Sequence, residues 1–287
     1  MLSSTIEAGE LCKQDALVLR GKLGFADSFL HGRLGLLVLK QLAEHAYGRT
    51  SKLSHELSLG LLVMKQRLEL AIPRIVSARA VRQWVAFTDA AFEPELGTGG
   101  IGAALFDDEY TCVGWFGFPL SLEQCKLFGA NLKQTIIYEL ELTAAILALD
   151  FWAETMRDGL QICYGDNDSA RFSLIRGSCL RQHATALMRY HLEREAFNNL
   201  STWYARVPTE ANVSDYPSRA VPHPLLPEDK DQSSSAIEWF GKLVNFLEGG
   251  RADFNGGSRF QCGQLDTSDD EADFNHRIVL LDKFRNL

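Results

Sequence analysis

The chain has 287 residues, 46% hydrophobic and 23% charged. At roughly 150 residues per domain this allows about two globular units and excludes fibrous, disulfide-framework and wholly disordered classes. Its aliphatic runs, such as Leu61 to Met64, fall far short of the roughly 18 apolar residues that a bilayer span requires, so no membrane partner is expected. Glu7, Glu10 and Asp15 stand where a secretory leader needs a basic start and an apolar core, which predicts an intracellular chain, cytoplasmic or nuclear. The six cysteines never form a C-x-x-C pair, so reduced, mostly buried thiols are expected. The net charge of −8 is uneven: residues 1–82 carry 12 basic and 7 acidic groups (+5), residues 83–221 carry 10 and 18 (−8), and residues 222–287 carry 7 and 12 (−5). A polyanion partner fits only locally.

Taken in chain order, Asp15 to Val76 shows apolar residues at spacings of three and four, as in Leu57, Leu61, Met64, Leu68 and Ile72, with Gly48 and Pro73 as breaks. This predicts a small helical module over residues 1–82. Val85 to Thr88 reads as a strand, Gly102 to Phe106 as a second, and Asp107-Asp108-Glu109 as a turn into a third strand ending near Phe118. A long helix is predicted from Lys133 to Arg157, with Gly159 as its left-handed stop. Strand Leu160 to Tyr164, helices Ser169 to Ile175 and Arg181 to Leu200, and strand Thr202 to Val207 complete an α/β order, β-β-β-α-β-α-α-β. After Pro222 the composition turns polar and broken, which predicts a largely disordered, low-complexity acidic tail over residues 222–287 with one amphipathic helix, Ala236 to Leu247.

Four acids fall at informative places on this layout: Asp89 at the end of the first strand, Glu141 in the first third of the long helix, Asp166 at the end of the fourth strand, and Asp215 after the last. Any single carboxylate is ordinarily a solvated surface charge. Four converging from separate elements repel one another and resist joint ionisation unless hard divalent cations lie between them. Mg²⁺ suits such oxygen-only ligands, and two ions together can activate water and stabilise a leaving oxygen at a phosphate.

These residues carry a family resemblance. Phe87-Thr88-Asp89-Ala90, with Gly100 and Gly102 before the second strand, resembles the opening strand of ribonuclease H domains in LTR- or DIRS-like retroelement reverse transcriptases. Glu141-Leu142-Thr143-Ala144 is similar to that family's glutamate helix, and Tyr164-Gly165-Asp166-Asn167 to its fourth-strand motif. Val207-Pro208 and Asn212 to Arg219 resemble the closing N-x-x-A-D-x-x-S-R signature, with Ser214 in place of the small alanine. The likeness spans residues 84 to 220, and the helical module is similar in part to the thumb or connection region that joins polymerase to nuclease. It implies a ribonuclease H-like fold, a mixed five-stranded sheet flanked by helices, over residues 83–221. It also implies hydrolysis of the RNA strand of RNA–DNA hybrids with two Mg²⁺ ions, Mn²⁺ substituting, held by Asp89, Glu141, Asp166 and Asp215, and a polymerase subunit as a partner. Asn167, Asn212, Arg219, Arg171 and Arg176 are the implied substrate contacts. The Pro208 to Ala211 loop lacks the histidine found there in many cellular ribonucleases H, which bears on proton shuttling and product release, and no polymerase Y-x-D-D motif is present.

Other signals carry plainer readings. Gly97 to Gly102 matches G-x-G-x-x-G but precedes a strand instead of opening a helix, which argues against a dinucleotide site. Glu139 and Glu141 differ by about 200° around a helix, so only one can face the metals; Glu139 is expected to be a solvated charge. His183 and His191 are expected at the surface, and Phe151 and Trp152 in the core. Arg171, Arg176, Arg181, Arg189, Arg194 and Arg206 form either a phosphate-tracking handle or a solvated helical face. Two functions follow: a metal-dependent ribonuclease H, or a catalytically inactive retroelement remnant acting as a nucleic-acid-binding or assembly module.

Overall fold

β1 (Gln83–Glu93), β2 (Thr98–Phe106) and β3 (Cys112–Leu120) form an antiparallel meander, as their alternating aromatic, β-branched and small residues predict. In this computed structural model the described residues are 2–30, 32–70, 82–129, 135–157, 159–179, 181–198 and 200–248. Expectations for Pro73, for a helix start at Lys133, for the side chain of His183 and for everything after Glu248 lie outside them.

Among the described residues four helices precede the sheet: α1 (Leu2–Ala8), α2 (Lys13–Asp27), α3 (Leu34–Tyr47) and α4 (His55–Leu70). Leu19, Leu23, Val38, Leu42, Leu57, Leu61 and Met64 close a core of their own, each contributing about 1.5–3 kcal/mol on burial. Of the stripe read from the sequence, Leu57, Leu61, Met64 and Leu68 form the inner face of α4, and Ile72 lies outside the described residues.

After β3 come α5 (Leu122–Leu127), α6 (Ile137–Phe151), β4 (Leu160–Gly165), α7 (Asp168–Arg176), α8 (Gln182–Phe197) and β5 (Ser201–Arg206). The sheet order is β3-β2-β1-β4-β5, with β4 parallel to both β1 and β5. Parallel neighbours need crossovers, and α6 supplies one while α7 and α8 supply the other. This is the expected mixed five-stranded sheet flanked by helices. α6 is buried on every side from Tyr138 to Asp150, which suits a helix apolar nearly all round. A short turn of helix, α9 (Asp215–Ser218), lies across β1, β2 and β3, and α10 (Ser233–Leu247) packs on β3, α6 and α8.

Several expectations are corrected. Gly159 has no left-handed backbone. It is glycine because a Cβ there would stand 2.6 Å from the Trp84 ring and 2.9 Å from the Arg82 carbonyl, and α6 has already ended at Phe151. His191 is buried, its Nε2 2.7 Å from the Tyr204 hydroxyl. Of the tail expected after Pro222, the part as far as Glu248 is packed and carries the expected amphipathic helix as α10. Gln232 accepts from Trp152 Nε1, Trp239 Nε1 donates to the buried Asp150, and Phe240 lies in the core against Phe118 and Phe128. Asp150 also accepts from Tyr190, Arg194 and Asn198, so one carboxylate ties α6, α8 and α10 together. No helix among the described residues is long and apolar enough to cross a membrane.

Candidate active site

β1 and β4 run parallel with Phe87 opposite Tyr164, the last paired position. Two residues further on stand Asp89 and Asp166, beyond the parallel pairing, where α/β sheets open their crevices. Asp166 lies just past the end of β4, as expected, whereas Asp89 is corrected: it does not end the first strand but lies within β1, opposite Gly102 of β2. Glu141 projects from α6 to the same place. One carboxylate oxygen each from Asp89, Glu141 and Asp166 lies within 4.8 Å of the others. Asp89 and Glu141 are buried, and Asp166 is half-buried.

Burial dominates the electrostatics. It pushes Asp89 up to about 7, opposed by a Ser218 hydrogen bond and reinforced by the charges of Asp166 and Asp215. Glu141 is driven well above the ordinary carboxylate range by burial first and then by Asp89 and Asp166. Asp89 and Glu141 ionise only at a cost, and with Asp166 they form an oxygen donor set for a hard divalent cation, which would offset that cost. The residues present therefore fit Mg²⁺ or Mn²⁺.

Asp215 stands apart from this triad. It opens α9, and its Oδ1 accepts from Arg219 Nη2 at 3.0 Å; its field nonetheless reaches Asp89. The turn that carries it rests on a floor of glycines. A Cβ at Gly100, Gly102 or Gly117 would come within 1.9–2.3 Å of the backbone of Pro217 or Ser218. The glycine run thus opens a strand, and its function is close backbone approach.

The remaining predicted residues take distinct places. Asn212 is buried behind Asp89, its Nδ2 donating to Thr88 O at 3.0 Å and Asp89 Oδ1 at 3.4 Å while its Oδ1 accepts from Ser214 N. Asn167 caps α7, accepting from Ala170 N at 3.1 Å. Arg171 pairs with Asp168 and lies over Phe172. Arg176, at the far end of α7, also lies over Phe172. Glu139 is corrected: it is buried and receives both contacts of Arg181 Nη1 at 3.1 Å. Much of the arginine run is engaged inside the molecule, Arg181 with Glu139, Arg189 with Glu193, Arg194 with Asp150 and Arg206 with Asp168. Thr209, not anticipated from the sequence, donates to Asp166 Oδ2 at 2.6 Å. Its signal was its position in the loop between β5 and the Asp215 turn.

No protein-family model and no curated protein matches the chain. Among solved structures it is similar to RNase H1 from the halophilic archaeon Halobacterium salinarum, at 16% identity over 48% of this chain and 93% of that one, with a TM-score of 0.37. It is similar also to the N-terminal RNase H domain of a Mycobacterium tuberculosis protein fused to maltose-binding protein (13% identity, 55% and 98% coverage, TM-score 0.39). A third is a compost-derived RNase H1 in complex with an RNA/DNA hybrid (13% identity, 48% and 95% coverage, TM-score 0.36). The sheet order, its antiparallel and parallel halves and its crossover helices make the fold ribonuclease H-like.

Proposed function

We propose that the chain is a divalent-metal-dependent ribonuclease H that hydrolyses the RNA strand of RNA–DNA hybrids. The observation that carries this reading is the convergence of Asp89, Glu141 and Asp166 from two strands and a helix within 4.8 Å. Asp89, Glu141 and Asp166 would hold one ion, and Asp89 with Asp215 would hold a second. Bound ions would supply the positive charge that activates a water and stabilises the leaving oxygen. The chain's own groups orient this set. Asn212 and Ser218 fix Asp89, Thr209 fixes Asp166, and Arg219 stands ready at Asp215 to meet a phosphate. The sequence motifs support placing this nuclease at residues 83–221 of a retroelement reverse transcriptase without its polymerase palm, residues 1–82 being a thumb- or connection-like module and a polymerase subunit its partner. The test is cleavage of a labelled hybrid in Mg²⁺ or Mn²⁺. Cleavage of hybrid with single-stranded RNA left intact is expected, and binding without cleavage in either metal favours the inactive-remnant reading.

A further inference from the structure

α7 begins two residues after Asp166, so the carboxylate stands on the short link between β4 and this helix. Its underside is packed through the buried Ala170 and Leu174. A cavity of about 20 Å³, room for about one water, remains beneath it, lined by Thr88, Glu141, Cys163, Asn167, Leu174 and Tyr204. Both ends of the helix are held as well. Asn167 caps the N-terminal end. The C-terminal end is held from outside the nuclease segment. Arg33, at the start of α3, donates through Nη1 to the carbonyls of Leu174 at 2.6 Å and Ile175 at 3.0 Å. These are end carbonyls that otherwise rely on capping, and a cation there also suits the helix dipole.

The same guanidinium forks onto Glu195 of α8, with Nε 3.0 and 3.1 Å from its two oxygens. Glu195 is buried, and its carboxylate lies 3.6 Å from His191 Nε2, which in turn meets the Tyr204 hydroxyl on β5. The backbone is committed to this contact. Gly32 has φ +78°, and a Cβ there would stand 2.9 Å from that of Ala196. Lys40 adds a bond to Cys179 O, just beyond α7.

We propose that Arg33 is a positioning residue that sets the pose of α7, and through it of Asp166, so that the helical module braces the nuclease site from behind. The role at Asp166 rests on the metal-dependent reading above; the role at α7 does not. A module that served only as a separate nucleic-acid handle would leave α7 indifferent to its removal.

The full-length chain tests this. R33M alone leaves the buried Glu195 without its arginine, so the deciding variant is R33M/E195M, which removes both charges together. L61A, in the module core, is the control for general loss of stability. The readouts are hydrogen exchange of the α7 amides and the dissociation constant for Mn²⁺ by titration calorimetry. R33M/E195M is expected to speed α7 exchange and to weaken Mn²⁺ binding by about tenfold, the scale of lost outer-shell support. R33K is expected to fall between, and L61A to leave Mn²⁺ binding unchanged. Unchanged α7 exchange in the double variant overturns the proposal, as does an equal loss of Mn²⁺ binding in L61A. If the unaltered chain takes up no Mn²⁺, the nuclease reading falls, and α7 exchange alone decides the role of Arg33: faster exchange supports the brace, and unchanged exchange overturns it.

Discussion

Glu139 and Glu141 stand two residues apart on α6, both buried, in opposite electrostatic surroundings. Glu139 has Arg181 beside it, whereas Glu141 faces Asp89 and Asp166. Glu141→Gln is expected to abolish hybrid cleavage and weaken Mn²⁺ binding, yet to raise the melting temperature in chelator, because it removes a carboxylate that burial and two like charges oppose. Glu139→Gln is expected to cost about 1–3 kcal/mol of stability through its weakened charge-assisted bonds while leaving cleavage within a few fold. Melting curves in chelator and initial rates in Mg²⁺ check both, and a stabilised Glu139→Gln contradicts this assignment. The same cluster sets a pH dependence. An acid whose folded value is raised stabilises the fold below its ordinary value, near 4, and that contribution is lost as pH rises through the folded value. Asp89 and the buried Glu193 both sit near 7, and Glu141 lies well above the ordinary range. His191, lowered to about 4, acts in the opposite sense below pH 6.5. The acids outnumber it, so the chain without divalent ions should lose melting temperature between about pH 5.5 and 7.5, with Asp89→Asn flattening the slope. A melting temperature that rises across that range in chelator contradicts the raised carboxylates.

At the scale of elements, the Asp215 turn depends on what the strands beneath it lack. Gly102→Ala would bring a Cβ to 2.3 Å from Ser218 N and 2.8 Å from Ser214 O, backbone atoms that yield only if α9 lifts. The expected result is lost cleavage together with several degrees of melting temperature. Gly21→Ala, in helix α2 with nothing within 4 Å of the new methyl, should instead stabilise by about 0.5–1 kcal/mol. If both alanines behave alike in thermal melts, the close approach is not what selects glycine. The order of strands and helices was legible because periods of 2.0 and 3.6 are written in local spacing, as is the strand end that bears Asp166; the extension of β1 past Asp89 to Glu93 is set by its pairing with the glycines of β2. What the sequence obscured is non-local. Gly159 answers to the Trp84 ring and Glu139 to Arg181, 42 residues away. His191 answers to Tyr204, and the polar stretch after Pro222 to Trp115 and Trp152, whose indole nitrogens bond Pro227 O and Gln232. A polar composition suggests disorder only until the partners of its few large residues are known.

For the whole molecule, the charge imbalance between residues 1–82 (+5) and 83–221 (−8) acquires a location. Of the module's cations, Arg33 and Arg67 are committed internally, to Glu195 and Asp27, whereas Arg20, Lys22 and Arg49 are exposed. Within residues 83–221 Arg181 and Arg194 are held by buried carboxylates. Affinity for a polyanion grows with the number of phosphates neutralised, since each contact releases condensed counterions. An exposed lysine or arginine is available for this, while a cation bonded to a buried acid must first abandon its partner. The expected outcome is that R20Q/K22Q/R49Q raises the dissociation constant for an RNA–DNA hybrid and reduces the slope of log affinity against log salt by about one per lost contact, with melting temperature unchanged. A salt titration of hybrid binding by fluorescence anisotropy measures both quantities. If R176Q/R206Q instead removes most of the slope, the handle lies on residues 83–221 beside Phe172 and Asp168, and the helical module contributes through Arg33 alone.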